Sequence, residues 1–110
     1  MATRLHGKDY KRVFDLGRSR KGRYVVAWRM ELGGDGNGGV FAGVVATKRG
    51  LPLAVERSRA KRLVREAFRL LAKDGAVPLN TAWVFVVRSW IKGAKFAEVM
   101  EDMRRLCARC

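Results

Sequence analysis

Hydrophobic positions along this chain switch between a helical and an alternating spacing, and the switches mark its elements. In "GKDYKRVFDLG", residues 7 to 17, Tyr10, Val13 and Phe14 fall at i, i+3, i+4 and Gly17 follows as a C-cap, which predicts a short amphipathic helix. The basic stretch "RSRKGR", residues 18 to 23, reads as a loop. "YVVAWRMEL", residues 24 to 32, is rich in β-branched and aromatic residues and predicts a strand, with Trp28 sharing a face with Tyr24, Val26 and Met30. The glycine-dense "GGDGNGG", residues 33 to 39, then reads as a hairpin connection to a second strand, "VFAGVVATK", residues 40 to 48. Those glycines do not match a phosphate-binding loop, since no Lys-Ser/Thr follows and no helix opens there.

"RGLPLAVE" breaks regularity at Gly50 and Pro52, and a long helix follows from about residue 55 or 57 to 73. "WVFVVR", residues 83 to 88, reads as a fully buried third strand. Phe96, Val99, Met100, Met103, Leu106 and Cys107 describe a final helix over about residues 95 to 107. The order is α-β-β-α-β-α, with room for a further short strand that the pattern does not place.

The long helix carries the main chemical signal. On a wheel of about 100° per residue, Ala60, Leu63, Ala67, Leu70 and Leu71 share an arc of roughly 120° that predicts the core face. Arg57, Lys61, Arg65, Arg69 and Lys73 follow one another around the opposite side, joined by Arg59 and Arg62, with Glu66 as the acid among them. A solvated face would interleave acids to form i, i+4 pairs worth a few tenths of a kcal/mol each, whereas five cations between residues 57 and 65 repel one another unless an anion faces them.

The whole chain points the same way. Its 110 residues suit one domain, and 48% hydrophobic residues with two prolines argue for a packed fold over disorder. Net charge is +14, and sixteen Arg against eight Lys favour a nucleic-acid partner, because guanidinium pairs bidentately with phosphate and stacks on bases. The absence of an apolar run near 18 residues or of a signal-peptide pattern leads to the expectation of a cytoplasmic chain without membrane association. Cys107 and Cys110 form a C-x-x-C pair, but the one histidine, His6, stands at the other end, so the reading is two reduced thiols and no structural zinc. Carboxylates are scattered singly, offering neither a general acid–base pair nor a metal cluster, so no catalytic or metal-binding residue is expected.

The segments "VATKRG" and "AVERSRAKRLVREAFR" resemble the signature of the bacterial ribonuclease P protein subunit: a strand ending in a Ser-Lys-Lys-like segment, a helix opening with Arg-Asn-Arg, then Lys-Arg and an Arg-Glu-Ala-Phe-Arg run. "DYKRVFDLG" and "WVFVVR" extend the likeness over almost the whole chain. The resemblance implies a single RNA-binding α+β domain over residues 1–110, an α/β sandwich of the ribosomal protein S5 domain 2-like kind with a left-handed β-α-β crossover around the basic helix. It implies a monomeric protein in a 1:1 complex with a catalytic RNA, which with its own Mg²⁺ removes the 5′ leader of precursor tRNA while the protein assists. No cofactor is then expected on the protein itself.

Carried over by the resemblance, Arg57, Ser58, Arg59, Lys61, Arg62 and Arg65 would face the RNA subunit, and Tyr10, Phe14, Trp28, Thr47, Lys48 and Arg49 would line the cleft for the leader. Ser58 stands where the family motif has Asn; both are good N-caps, so a cap and a contact remain open for it. On periodicity alone Tyr10, Phe14 and Trp28 are core residues, and cations at a strand end beside aromatics are what suggests a single-strand groove. The alternative function is a ribosomal or RNA-chaperone protein that binds structured RNA with no processing role. A helix-turn-helix reading lacks the second helix, because strands flank the basic one.

Overall fold

The apolar segments assemble into one sheet, though not in the order their succession suggests. The computed structural model describes residues 2–108. Strands β1 (Ala2–Arg4), β2 (Arg18–Lys21), β3 (Val25–Glu31), β4 (Val40–Val45) and β5 (Thr81–Val87) lie in the spatial order β1-β4-β5-β3-β2. Helices α1 (Tyr10–Leu16), α2 (Ala54–Lys73) and α3 (Phe96–Cys107) complete a mixed α+β domain.

The centre of the sheet is β5, parallel to β4 and antiparallel to β3. The glycine-dense stretch is therefore not a hairpin turn, since β3 and β4 are not neighbours. "TAWVFVV" is buried at all but one position, so burial on both faces draws it between the other two strands. The glycine-rich connection passes over the start of β5, where Asn80 stitches it down: its amide donates to Gly33 O (2.7 Å) and its Oδ1 accepts the Gly38 N–H (3.2 Å).

The basic stretch expected to be a loop is in part a strand. Residues of β2 pair antiparallel with β3, and all four are exposed, so no apolar alternation betrays the element. Charged residues on such an edge also discourage pairing with another chain. The other strand the pattern left unplaced, β1, adds to β4 in parallel.

The three inner strands, β3, β4 and β5, send alternate side chains to two cores. Val25, Ala27, Val44, Trp83 and Phe85 pack beneath α2 and α3. Met30, Ala82 and Val84 face the other way, with Val13 of α1 fully buried against them. Tyr24 belongs to the first core and not with Trp28, because β3 begins only at Val25 and the bend before it breaks the alternation.

Sequence periodicity gives no role to Asp102, a carboxylate among the apolar residues of α3, yet it is 5% exposed and organises the β2–β3 turn. Its oxygens accept the N–H groups of Arg23 (3.0 Å) and Tyr24 (2.9 Å), and Arg105 donates to it at 2.7 Å. Gly22 lets the turn approach so closely, since a Cβ there would lie 2.6 Å from both Asp102 Oδ2 and Leu106. Cys107 is buried and free, while Cys110 lies outside the described residues. Among the described residues no helix is long and apolar enough to cross a membrane.

Candidate nucleic-acid interface

Helix α2 starts earlier than its basic run, at Ala54, with Leu53 at the N-cap and no side chain capping it. Ser58 therefore stands a full turn inside the helix, which removes the N-cap reading. The buried stripe is Ala60, Val64, Ala67, Phe68 and Leu71; Leu63 and Leu70 are only half-buried. The core face keeps Leu71 but is turned toward Phe68, whose ring meets Phe85 at 5.4 Å, and away from Leu63 and Leu70, which the wheel also places in it.

That rotation sorts the six cationic and polar positions expected to face RNA. Arg57 lies at the edge of the buried stripe and is consumed locally, donating to both Leu51 O and Pro52 O at 2.8 Å and holding the turn into α2. Lys61, on the same flank, is half-buried. Arg59 is exposed but gives one N–H to Ala94 O (2.9 Å), which ties α2 to the connection before α3. Ser58, Arg62 and Arg65 follow at i, i+4, i+7 along one exposed line, and neither Arg62 nor Arg65 has an ion-pair partner among the described residues. Arg69 continues that line but is paired with Glu66 (3.0 Å), a hydrogen bond that holds the Glu66 carboxyl below its ordinary range.

The second set divides in two. Tyr10, Phe14 and Trp28 do come together: all three are half-buried against the core under α1, and Phe14 meets Trp28 edge to face with centroids 5.2 Å apart. The sheet register explains how. Gly43, Val84 and Trp28 lie side by side across β4, β5 and β3, and α1 crosses this row. Thr47, Lys48 and Arg49 sit beyond the end of β4, exposed, in the turn that leads to α2. The Thr47 hydroxyl accepts the Gly50 N–H (3.1 Å), so that side chain shapes the turn while Lys48 and Arg49 project from it.

The next row of the sheet, Val45, Val86 and Val26, is only half-buried, which makes it the floor of a groove beside α1 that ends at the Lys48 turn. Register adds Lys21 of β2 to the other end of the row, opposite Val26 on the same face. The sequence pattern puts Val26 on the face of Trp28 but gives it no part in a site, and it does not single out Val86 or Lys21; Lys21 becomes visible only once its segment is known to pair. One continuous segment, from β4 through residues 47–49 into α2, thus joins the groove to the cationic line. Among the described residues no group of three His, Cys, Asp or Glu side chains is placed to hold a metal ion.

A family model described as Ribonuclease P matches residues 3–110. The chain belongs to the Ribonuclease P family. The ribonuclease P protein component of Pelotomaculum thermopropionicum is 34% identical over 102 residues, 93% of this chain and 86% of that relative. The one from Caldanaerobacter subterraneus is 32% identical over 99 residues, covering 90% and 80%. The solved RNase P protein from Thermotoga maritima superposes with a TM-score of 0.82 at 26% identity, covering 98% of this chain and 97% of its own. Membership of the Ribonuclease P family makes the chain an RNA-binding component of an endoribonuclease holoenzyme active in tRNA processing.

Proposed function

We propose that this chain binds the catalytic RNA of ribonuclease P along α2 and the 5′ leader of precursor tRNA in the groove beside α1, assisting leader removal without catalysing it. The observation that carries this is the continuity of the two surfaces: the half-buried aromatics and valines of the groove end at Lys48 and Arg49, and the chain runs from there into the line of Ser58, Arg62 and Arg65. An aromatic platform beside cations holds a single strand without reading its sequence, whereas a helix face of unpaired arginines engages a phosphate backbone.

In this reading Mg²⁺ would be held by the RNA and would supply Lewis-acid chemistry there, with no residue of this chain assigned to it. The protein's contribution is positive charge and a grip on the leader: Lys48, Arg49, Arg62 and Arg65 relieve phosphate repulsion that the metal must otherwise screen. The parallel β4-α2-β5 unit is taken as the left-handed crossover of a ribosomal protein S5 domain 2-like sandwich, the protein as a cytoplasmic monomer in a 1:1 ribonucleoprotein.

Reconstitution with the RNA subunit of the same genome tests it. The protein should lower the Mg²⁺ needed for cleavage and bind the RNA with higher affinity for precursor than for mature tRNA. Cleavage by RNA-free protein would overturn the assignment of catalysis, and equal gains for precursor and mature tRNA would favour a chaperone of structured RNA.

A further inference from the structure

The connection between β5 and α3, "RSWIKGAK", holds three cations and no acid in eight residues, with an indole among them. Trp90 is 65% exposed, although its neighbour Ile91 is 1% exposed and anchors the segment in the core. An isolated exposed aromatic is ordinary on a protein surface. Here the backbone beneath it is stiff: Ser89–Ile91 is a 3₁₀ turn, closed by Ile91 N–H to Arg88 O (3.0 Å) and Lys92 N–H to Ser89 O (3.1 Å). The segment is also fastened at two points to the first turns of α2, by Arg59 to Ala94 O (2.9 Å) and by the Lys92–Glu56 ion pair (3.2 Å).

We infer that Trp90 is a stacking platform for an unpaired base of the RNA partner, extending the α2 interface onto the β5–α3 connection. This rests on the proposal that α2 faces RNA. Charge selects the occupant: Lys92, paired with Glu56, and the exposed Lys95 follow the indole along the chain, and Arg59 and Arg62 lie on the helix to which the segment is tied, so a base flanked by phosphates meets both an aromatic face and cations. A rigid indole also loses little side-chain freedom on binding.

The test titrates the full chain with the RNA subunit of ribonuclease P from the same genome at several salt concentrations. Trp90→Ala and Trp90→Leu should each weaken binding roughly 5- to 150-fold, the range of one lost base stack, while Trp90→Phe retains most of the affinity. The slope of log K against log[salt] should stay unchanged in all three, because no charge is removed. Wild-type affinity for Trp90→Leu, with the pair Arg62→Ala and Arg65→Ala still weakening binding, overturns the platform and leaves the α2 interface standing. If the arginine pair also binds as wild type, the α2 reading itself falls. Altered sedimentation of the free Trp90→Leu chain at unchanged RNA affinity overturns the platform in favour of a protein contact.

Discussion

Tyr10 lies directly against the backbone of β4 at Gly43, where any Cβ would overlap the phenol ring and hydroxyl. The missing side chain therefore sets how closely α1 approaches the sheet and, through α1, the depth of the groove beside it. Gly43→Ala should cost about 1–3 kcal/mol through overpacking, read as a lowered denaturation midpoint. Adding Tyr10→Ala should recover part of that loss, a coupling that two independent effects on stability would not produce.

Phe14 and Trp28 are half-buried, so each is available to a ligand while contributing to packing. Replacing either by Ala should lower stability by about 1–3 kcal/mol, less than the roughly 3–5 kcal/mol of a fully buried aromatic. If the groove holds the leader, affinity for precursor tRNA should fall further by about 1–3 kcal/mol per lost stack, with mature tRNA spared. Melting and binding of both tRNA forms, measured on the same variants with the RNA subunit bound, separate the two contributions. Equal losses for the two tRNAs would place the rings in packing alone.

The arginines of α2 should divide by what their guanidinium groups touch. Arg57→Ala loses two hydrogen bonds to the turn before the helix and should cost about 1–3 kcal/mol of stability. Arg62→Ala with Arg65→Ala should leave the melting temperature near wild type but reduce the salt slope of RNA binding by roughly 0.7–0.9 per contact. Ser58→Ala, an exposed change inside the helix, should alter stability by no more than about 0.5 kcal/mol.

Burial pushes the Cys107 thiol up to about 12 from an ordinary 9.0, against the opposing charge of Arg29. In a Cys110→Ser chain at pH 8, Cys107 should thus be inert to thiol reagents until denaturant opens the core. The linkage has a definite sign. The folded thiol keeps its proton above pH 9.0 while the unfolded one loses it, so this contribution is whole below pH 9.0 and declines as pH rises toward 12. Denaturation midpoints of Cys110→Ser with and without Cys107→Ala, compared from pH 8 to 11, should show the extra decline only where Cys107 is present.

Elements with a strong apolar period were legible from the residues: α1, α3, the long basic helix and three strands stand close to where their patterns put them. Periodicity reports which residues of one element share a face, but not which strands adjoin. A β3–β4 hairpin is the wrong expectation for that reason, because the strand that separates them comes only after α2 and is recognisable only by being apolar on both sides. At the interface, the run of cations identified the helix, yet charge does not disclose that Arg57 is engaged by carbonyls or that Arg59 is tied to Ala94. Phe14 and Trp28, grouped by the family resemblance and not by periodicity, meet across α1 and the sheet, while Lys21 needs the pairing of an edge strand with no hydrophobic pattern of its own.

The central place of β5 also governs how the chain can be made. A ribosome releases β1 to β4 before β5, so the β2–β3 and β1–β4 pairs have nothing to join them until residue 87 has emerged, and until then the nascent sheet is two separate ribbons with no middle. The Asp102 clamp on the first hairpin closes later still. Joining of the sheet is therefore withheld until nearly the entire chain is out, while the exposed Arg18, Arg20 and Lys21 keep the outer edge at β2 from pairing with other chains on a crowded polysome.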